Sequence, residues 1–362
     1  MTARVYSPLM ERGLAIAFAG LALLVGAASA RGGIPPNNEP YGRVVVFDPA
    51  KNVRLTQFPL LRNVLQIAAD GRGGFYAVEG FSDPHPRSAQ ILHINRDGSR
   101  DRDFNIPMRA ALRGGAQVTL VHAGGLLYVG GSFTSLGGSE RDGLAAIDTT
   151  TKGVTAWNPR LSGGRVFSIT PAAGNVIVQD DFGIKAFDAR TAQLRWSHNL
   201  TIWGRGLEVL AHGELYVGGL AQPPYGIVRF DPAKGTISSW QVRATLAEQA
   251  GMAWATQLIA VGNTLAVGSQ KGFCMSVDIA TRRFRHVDAP CFSSAAALTG
   301  STLYLGGTTE TNTGFGNIRA FDVRMHRYLR FHPRLIKYQL IDSLAMSGSH
   351  LIVLGDFLKS LG

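Results

Sequence analysis

One short phrase recurs seven times along the chain, and it constrains the fold more than any other feature. Each copy is a β-forming run that ends in Phe-Asp, Ile-Asp or a close variant, followed by a polar turn and a second β-forming run. The phrase ends at the residues that we call the anchors: Asp48, Asn95, Asp148, Asp188, Asp231, Asp278 and Asp322. Successive anchors are 47, 53, 40, 43, 47 and 44 residues apart, which is the length of a four-stranded propeller blade.

A second, apolar phrase ends in a pair of glycines and lies between the anchors. Its clearest copies are residues 127–131, 215–219 and 303–307. A run so short and apolar predicts a strand that is buried on both faces. A further β-forming run, such as residues 118–122, precedes it by a short turn. Each repeat therefore predicts four strands, which we label a to d in chain order.

The two ends of the repeat region are complementary. The first repeat has only strands c and d, within residues 43–58, and the last has only strands a and b, within residues 342–355. Joined together, they make one complete blade, and a ring closed in this way has no free sheet edge. We therefore predict an all-β, seven-bladed β-propeller over residues 43–362. Its last blade is closed by the N-terminal strands c and d with the C-terminal strands a and b.

The anchor aspartates have a structural interpretation. Each lies where a strand enters a tight turn, so its carboxylate can accept hydrogen bonds from the free N–H groups of that turn. Asp180 and Asp181 replace the glycine pair in blade 3. Adjacent side chains of a strand point to opposite faces, so we interpret this pair as a solvated turn.

The first thirty residues predict export. Arg4 and Arg12 form a basic region, residues 13–26 are apolar, and residues 28–30 read Ala-Ser-Ala, a small-residue cleavage site. The apolar run is shorter than the roughly 20 residues of a spanning helix, which favours a cleaved signal over the alternative of an uncleaved anchor. We predict a signal peptide at 1–30 and a short lead-in at 31–42. The protein is then secreted, or lies in the periplasm or at the cell surface.

One blade carries a specific resemblance. Residues 127–138 (LYVGGSFTSLGG), followed by 144–148 and 154–159, are similar to the delta-60-type β-propeller repeat of secreted bacterial proteins. The other blades match more loosely. The resemblance implies an extracytoplasmic propeller and supplies no catalytic residues. Residues 186–196 resemble one repeat of the quinone-cofactor dehydrogenase propellers, but the calcium site and catalytic aspartate of those enzymes have no counterpart that the sequence identifies.

Cysteine and histidine usage adds one prediction. Cys274 opens strand c of blade 5 and Cys291 ends strand d of the same blade. Antiparallel pairing of these strands brings the two ends together, so we predict a disulfide, with free buried thiols as the alternative. The nine histidines show no spacing typical of metal ligands, and we expect neither a metal nor a cofactor.

Basic residues mark the candidate binding face. In a propeller, the d–a and b–c loops share one face around the central channel. Arginine suits bidentate contact with carboxylate, sulfate or phosphate, and tryptophan can stack on a sugar or ring. The candidate binding residues are Arg62, Arg109, Arg113, Arg160, Arg165, Arg205, Arg243, Arg334, Lys337, Trp203 and Trp254. The alternative is a solvated rim whose arginines pair with acids of the b–c loops, such as Glu140, Asp142 and Glu310.

These observations favour a non-enzymatic binding or scaffold propeller over an enzyme. The net charge of +11 suits an anionic partner, and the expected partner is a protein, a glycan or an anionic polymer of the cell envelope. We expect no nucleic acid, no transmembrane segment after signal removal, and a monomer. The alternative is an exported propeller enzyme (a hydrolase, a lyase or a quinone-type oxidoreductase), because catalytic carboxylates spread over several blades leave no linear signature.

Overall fold

The structure is a computed structural model. It describes residues 43–61, 63–80, 88–110, 118–161, 165–200, 208–218, 226–243, 255–269, 275–286, 295–306, 318–325, 327–331, 333 and 341–355. The predicted signal peptide, the lead-in and the predicted disulfide of Cys274 with Cys291 lie outside these residues.

The described residues form β-strands joined by turns and loops. In chain order the first sixteen strands are β1 (Arg43–Asp48), β2 (Val53–Arg54), β3 (Val64–Ala69), β4 (Phe75–Gly80), β5 (Ser88–Ile94), β6 (Arg100–Ala110), β7 (Val118–Ala123), β8 (Leu126–Gly131), β9 (Phe133–Leu136), β10 (Ser139–Glu140), β11 (Leu144–Asp148), β12 (Gly153–Val154), β13 (Ser168–Ala172), β14 (Asn175–Asp180), β15 (Gly183–Asp188) and β16 (Leu194–His198). The remaining strands are β17 (Glu208–Ala211), β18 (Glu214–Val217), β19 (Gly226–Phe230), β20 (Ile237–Arg243), β21 (Ala255–Val261), β22 (Thr264–Ser269), β23 (Met275–Asp278), β24 (Arg283–His286), β25 (Ala295–Thr299), β26 (Thr302–Gly306), β27 (Ile318–Asp322), β28 (Arg327–Tyr328), β29 (Ile341–Ser347) and β30 (His350–Gly355).

These strands build seven antiparallel sheets, and the predicted seven-bladed β-propeller is confirmed. Blades 1 to 6 begin with β3, β7, β13, β17, β21 and β25 as strand a. Blade 7 begins with β29. Each strand a contacts strand a of the next blade, and β29 contacts β3, so the ring is closed. One side of the ring, the turn face, carries the a–b and c–d turns. The other side, the loop face, carries the d–a and b–c loops.

Blade 7 combines the first and last strands in the order β2-β1-β30-β29. Its central pairing joins Val45 with Val353 in antiparallel register. Both residues are buried, so the junction is a dry ladder of apolar side chains. Pairing of β1 with β30 therefore joins the two ends of the repeat region within one sheet.

Blade 1 is larger than the four strands predicted for it, because β9 and β10 extend its sheet to six strands. These two strands belong to the b–c loop of blade 2 and pair with the outer edge of β6. Gly137 and Gly138, with φ of 58° and 79°, supply the left-handed turn that a two-residue hairpin requires. Phe133 and Leu136 are fully buried between blades 1 and 2. This packing explains the apolar residues of the FTSLGG stretch.

Apolar cores lie between the blades. The described residues form seven buried clusters, one at each interface between neighbouring blades. Strand b contributes to two of them at once: Val176 and Val178 of β14 face blade 2, and Ile177 faces blade 4. This arrangement explains why strand b is apolar at consecutive positions.

The structural role predicted for the anchor aspartates is confirmed at the described turns. In Asp148, for example, Oδ1 accepts hydrogen bonds from the N–H groups of Thr150 and Thr151, both at 2.8 Å. Asp48, Asp188, Asp231 and Asp322 accept the equivalent pair of bonds. These carboxylates are therefore occupied by their own turns.

Tryptophans join successive blades in the middle of the chain. The indole N–H of Trp157 donates to the carbonyl of Asp188 at 2.9 Å, and that of Trp240 donates to Ile279 at 2.8 Å. The indole of Trp196 donates to Pro232 at 3.3 Å. Each bond runs from strand d, or the residues after it, to the c–d turn of the next blade. In blades 6 and 7, Phe331 and Phe58 pack at the corresponding interfaces without such a donor.

Candidate functional site

The structure describes four of the eleven candidate binding residues: Arg109, Arg160, Arg165 and Arg243. Arg109 is exposed near the end of β6, and Arg160 is exposed in the loop between blades 2 and 3. Arg243 ends β20, opposite Gly226. The other seven candidates lie outside the described residues: Arg62, Arg113, Arg205, Arg334, Lys337, Trp203 and Trp254.

Arg160 has an unusual backbone conformation. Its φ is 48°, in the left-handed region that costs a non-glycine residue about 1–2 kcal/mol. The residue follows Pro159 and precedes the buried Leu161. Strain of this kind often occurs at functional positions, so Arg160 is the candidate to which the structure adds an independent observation.

Arg165 is already engaged by an acid. Its backbone N–H and its guanidinium both donate to Asp181, with a shortest side-chain distance of 2.8 Å. These hydrogen bonds raise the pKa of Arg165 above its usual value. The rim interpretation, in which arginines pair with b–c loop acids, therefore holds for this residue, although the acid is not one of the three named from the sequence.

The interpretation of Asp180 and Asp181 as a solvated turn is wrong for Asp180. Asp180 is buried and accepts hydrogen bonds from the Lys185 ammonium and from the N–H of Phe182. A buried carboxylate needs such partners to offset its lost hydration. The two acids therefore hold the turn in shape. The Phe182 ring at its tip is left 57% exposed.

Three buried polar atoms on the same part of the loop face have no hydrogen-bond partner among the described residues. They are Ser132 Oγ, Arg141 Nε and Asn158 Oδ1. Arg141 otherwise donates to the carbonyls of Glu140 and Thr155, both at 2.7 Å. Buried polar atoms without partners are rare in folded proteins, and each calls for a water or a ligand. We call Ser132, Arg141, Asn158, Arg160 and Phe182 the blade 2–3 patch.

The turn face holds a buried polar cluster that the sequence analysis missed. Asp70 lies in the a–b turn of blade 1 and accepts hydrogen bonds from Ser347 Oγ at 2.7 Å and from the N–H groups of Arg72 and Gly74. Its Oδ2 lies 3.1 Å from His93 Nε2. Because a carboxylate only accepts, His93 Nε2 carries the proton. The His350 ring bonds to the Gly73 carbonyl at 2.7 Å.

A second carboxylate lies on the other side of His93. Asp101 Oδ2 is 3.7 Å from His93 Nδ1, and Asp101 Oδ1 accepts from Lys152 of blade 2 at 2.8 Å. The Tyr76 ring stacks on His93 with centroids 4.6 Å apart. The cluster therefore spans three successive blades, from Ser347 in blade 7 to Lys152 in blade 2.

Burial and hydrogen bonding act in opposite directions on Asp70. Burial alone would raise its pKa, but the hydrogen bonds from His93, Ser347 and the Arg72 N–H outweigh it and hold the pKa well below the usual value. The lowered pKa keeps Asp70 ionised. The hydroxyl of Ser347 donates to this carboxylate and lies outside a Ser-His pairing, so the cluster lacks the geometry of an activated nucleophile. Its visible role is to attach blade 7 to blade 1.

A usable signal for the cluster exists in the repeat. His93 lies two residues before its anchor, where blades 7, 2, 3 and 6 have Val46, Ala146, Ala186 and Ala320, and blades 4 and 5 have Arg229 and Ser276. A histidine at a position that is small and apolar in four of the other six blades indicates a local change of role. The a–b turn of blade 1, Asp70-Gly-Arg-Gly-Gly, is also longer than its counterparts.

Two further observations concern ligands and membranes. Within the described ranges, no group of three or more His, Cys, Asp or Glu side chains is placed to hold a metal ion. The same part of the chain contains no helix long and apolar enough to cross a membrane.

The fold and these contacts define a β-propeller protein with interlocked blades. The sequence matches the model of the PQQ_2 family, described as "Outer membrane protein assembly factor BamB", over residues 92–290. This match covers more than half of the chain, and the chain belongs to this family. The matched region runs from blade 1 to blade 5 and includes Trp157, Trp196 and Trp240. The finer resemblance to the delta-60 type stays a prediction.

Two solved structures are similar to this one. The crystal structure of the computationally designed Ika8 protein has a TM-score of 0.48 at 12% identity, covering 82% of this chain and 96% of that chain. The crystal structure of BamB from Moraxella catarrhalis has a TM-score of 0.46 at 14% identity, covering 84% of this chain and 98% of that one. No curated protein matches the sequence.

Proposed function

We propose that this chain is an exported, non-enzymatic binding or scaffold propeller that recognises a protein of the cell envelope through its loop face. The family carries this proposal, since its description is that of an outer membrane protein assembly factor. The predicted signal peptide at residues 1–30 supports a location outside the cytoplasm.

The blade 2–3 patch supports the loop face as the binding surface. It combines an exposed aromatic ring, Phe182, with an exposed cation, Arg160, and with three buried polar atoms that need partners. Aromatic and arginine side chains are the residues that most often dominate protein interfaces.

A protein partner fits this patch better than a polyanion does. Arg165 is neutralised by Asp181, and Lys185 by Asp180. With these two neighbouring cations paired, the blade 2–3 patch offers exposed Phe182, exposed Arg160 and polar side chains, a mixture that is typical of protein interfaces. A glycan or anionic polymer would find fewer free cations here than the sequence alone predicts.

The test is capture of detergent-solubilised envelope proteins by the processed chain, residues 31–362, across a salt series. Wild type is compared with the loop-face variant, in which Arg113, Arg160, Arg205 and Arg334 are changed to Glu, and with Phe182→Ser. We expect a discrete set of proteins to be captured by wild type and lost from both variants. Capture that both variants retain would contradict the proposal, and a screen for enzymatic substrates would then follow.

A further inference from the structure

The turn face carries a regular array of cations that the proposed function does not use. One exposed basic residue lies in the c–d turn of each of five successive blades: Arg190, Lys234, Arg282, Arg324 and Lys51, in blades 3 to 7. We call this set the basic arc. Its members occupy equivalent turns, and neighbouring strands a contact each other around the ring. The arc therefore lies along one side of the molecule.

The acids of this sector are few and engaged. The c–d turns and first strand d residues of blades 3 to 7 hold nine basic residues against five acidic ones. The basic residues are Arg190, Arg195, Lys234, Arg282, Arg283, Arg324, Arg327, Lys51 and Arg54. The acids are the anchors, whose carboxylates accept hydrogen bonds from their own turns. Lys51 and Arg195 also pair with their own anchors. Next to the a–b turn of blade 4, Glu214 at the start of β18 adds one further acid.

Blades 1 and 2 differ from the arc. The c–d turn of blade 1 and the start of its strand d also carry exposed cations, Arg96, Arg100 and Arg102, but these alternate with Asp97, Asp101 and Asp103. Lys152 of blade 2 is held by Asp101 and Asp103 of blade 1, at 2.8 Å and 3.5 Å. Asp103 is 86% exposed, and Asp97 in the blade 1 turn is exposed as well. The turn face is therefore divided into a basic sector over blades 3 to 7 and a sector of mixed charge over blades 1 and 2.

Apolar side chains are interleaved with the arc. The described residues include eight exposed large apolar side chains. Five of them follow the anchors of this sector, in the c–d turn or at the start of strand d: Met325 (62% exposed), Leu194 (55%), Ile237 (49%), Tyr328 (49%) and Val53 (45%). Each lies in a c–d turn that carries a member of the basic arc, or at the first or second residue of the strand d that follows such a turn. Such concentration on one rim marks an interaction surface.

We propose that the basic arc and its apolar neighbours dock on the surface of an anionic lipid bilayer. Basic residues near such a surface gain from its negative potential. Exposed aliphatic and tyrosine side chains add binding when they enter the boundary between headgroups and acyl chains. A broad array spread over five blades suits a flat surface better than a narrow ligand. A soluble polyanion would use the cations but would gain little from Met325 or Ile237.

Docking in this way leaves the loop face free. The two faces lie on opposite sides of the ring, so the membrane would hold the turn face while a protein partner occupies the blade 2–3 patch. The inference does not rest on the proposed function, and either can fail alone.

The test is flotation of the processed chain, residues 31–362, which retains every strand of the propeller. The vesicles contain phosphatidylglycerol and phosphatidylcholine, or phosphatidylcholine alone. We expect binding to the anionic vesicles that weakens with salt. In the arc variant, Arg190, Lys234, Arg282 and Arg324 are changed to Glu, and we expect its partition coefficient to fall by two to three orders of magnitude, since each basic residue contributes about a fivefold factor.

The loop-face variant is the matched control. Both variants reverse four positive charges, so each lowers the net charge of the protein by the same eight units. We expect the control to bind anionic vesicles within about threefold of wild type, because Arg160 lies on the loop face and the sequence pattern predicts the same face for Arg113, Arg205 and Arg334. If both variants lost vesicle binding equally while their melting temperatures stayed equal to that of wild type, the proposal would be overturned. Binding would then reflect unspecific charge attraction.

A second variant tests the bilayer against a soluble polyanion. Leu194, Ile237 and Tyr328 are changed to Ser, which leaves the charge intact. We expect vesicle binding to fall at least tenfold, since each lost apolar side chain removes buried area, while binding to dextran sulfate stays unchanged. Vesicle binding equal to that of wild type would overturn the bilayer as the partner. In Tyr328→Trp, a blue shift of the indole emission with anionic vesicles would place this residue in the membrane interface, and no shift would contradict it.

Discussion

Two parts of the ring are stabilised by different kinds of contact: the three successive interfaces from blade 2 to blade 5, and the closing interface between blades 7 and 1. The former use neutral tryptophan N–H groups that donate to turn carbonyls of the next blade. The latter uses an ionised carboxylate, Asp70, buried under Ser347, His93 and backbone N–H groups. A neutral bond supplements an apolar core, whereas a buried charge makes the interface depend on every one of its partners. We therefore expect the closing interface to be the more sensitive to substitution and to acid.

The largest effect is expected from Asp70→Ala. The change leaves the Ser347 hydroxyl and the N–H groups of Arg72 and Gly74 without their acceptor inside the protein. The free energy of unfolding should fall by about 3–5 kcal/mol, measured by urea denaturation. Ser347→Ala is the companion variant and should cost less, because the carboxylate keeps its other donors. A loss below 1 kcal/mol for Asp70→Ala would contradict the importance given to the closing interface.

Acid should weaken the closing interface selectively. The pKa of Asp70 is lowered in the folded protein, so its contribution is present above the unfolded value of about 4 and is lost as the pH falls below it. At neutral pH, Asp70→Asn should cost about 1–3 kcal/mol. The difference between the two proteins should shrink as the pH is lowered below about 4. Urea melts of both proteins at several pH values test this, and a constant difference would contradict it.

Trp240→Phe should have a smaller effect. The substitution removes one hydrogen bond at 2.8 Å and leaves the Ile279 carbonyl without its donor, while most of the apolar packing is kept. We expect a loss of about 1–2 kcal/mol that does not vary with pH. Trp196→Phe should cost less, since its bond is longer at 3.3 Å. A larger loss at Trp196 would show that packing dominates these interfaces.

The smallest effect is expected at the blade 2–3 patch. Arg160→Gly removes the cost of a left-handed backbone and should raise the free energy of unfolding by up to about 1 kcal/mol. The same change should weaken capture of the envelope partner. Arg160→Ala, which loses the side chain but keeps the strain, separates the two effects: it should weaken capture without stabilising the protein.

The repeat predicts the ring because each blade must bury both faces of its strand b. This burial requires apolar residues at consecutive positions, a pattern that is visible in the sequence of every repeat. The spacing of the anchors indicates the size of a blade, and their number indicates seven blades. The incomplete repeats at residues 43–58 and 342–355 indicate which strands share a sheet. Contacts between repeats are harder to predict. The pairing of β9 with β6 and the donation from Trp157 to Asp188 depend on how two blades meet, and periodicity within one blade does not encode it.

The candidate site was only partly predictable for the same reason. Arg160 and Arg165 were identified by charge and loop position. Asp181, the partner of Arg165, lies sixteen residues further along the chain, so the ion pair is visible only after folding. The Asp70–Ser347 bond joins residues 277 positions apart, and no local pattern relates them. The exposed apolar residues beside the basic arc looked like ordinary strand residues, because exposure is a property of the assembled ring.

The pairing of β1 with β30 also sets the timing of folding. Arg43 and Gly355 are neighbours in the sheet but are separated by most of the sequence. Contacts between residues so far apart in sequence form slowly, because the entropy of closing a long loop must be overcome first. Until β30 arrives, β1 has two apolar faces and an open edge, which is the situation that leads nascent β proteins to aggregate. The chain therefore spends its synthesis in an unclosed state, and we expect chaperone dependence to concentrate on its first strand.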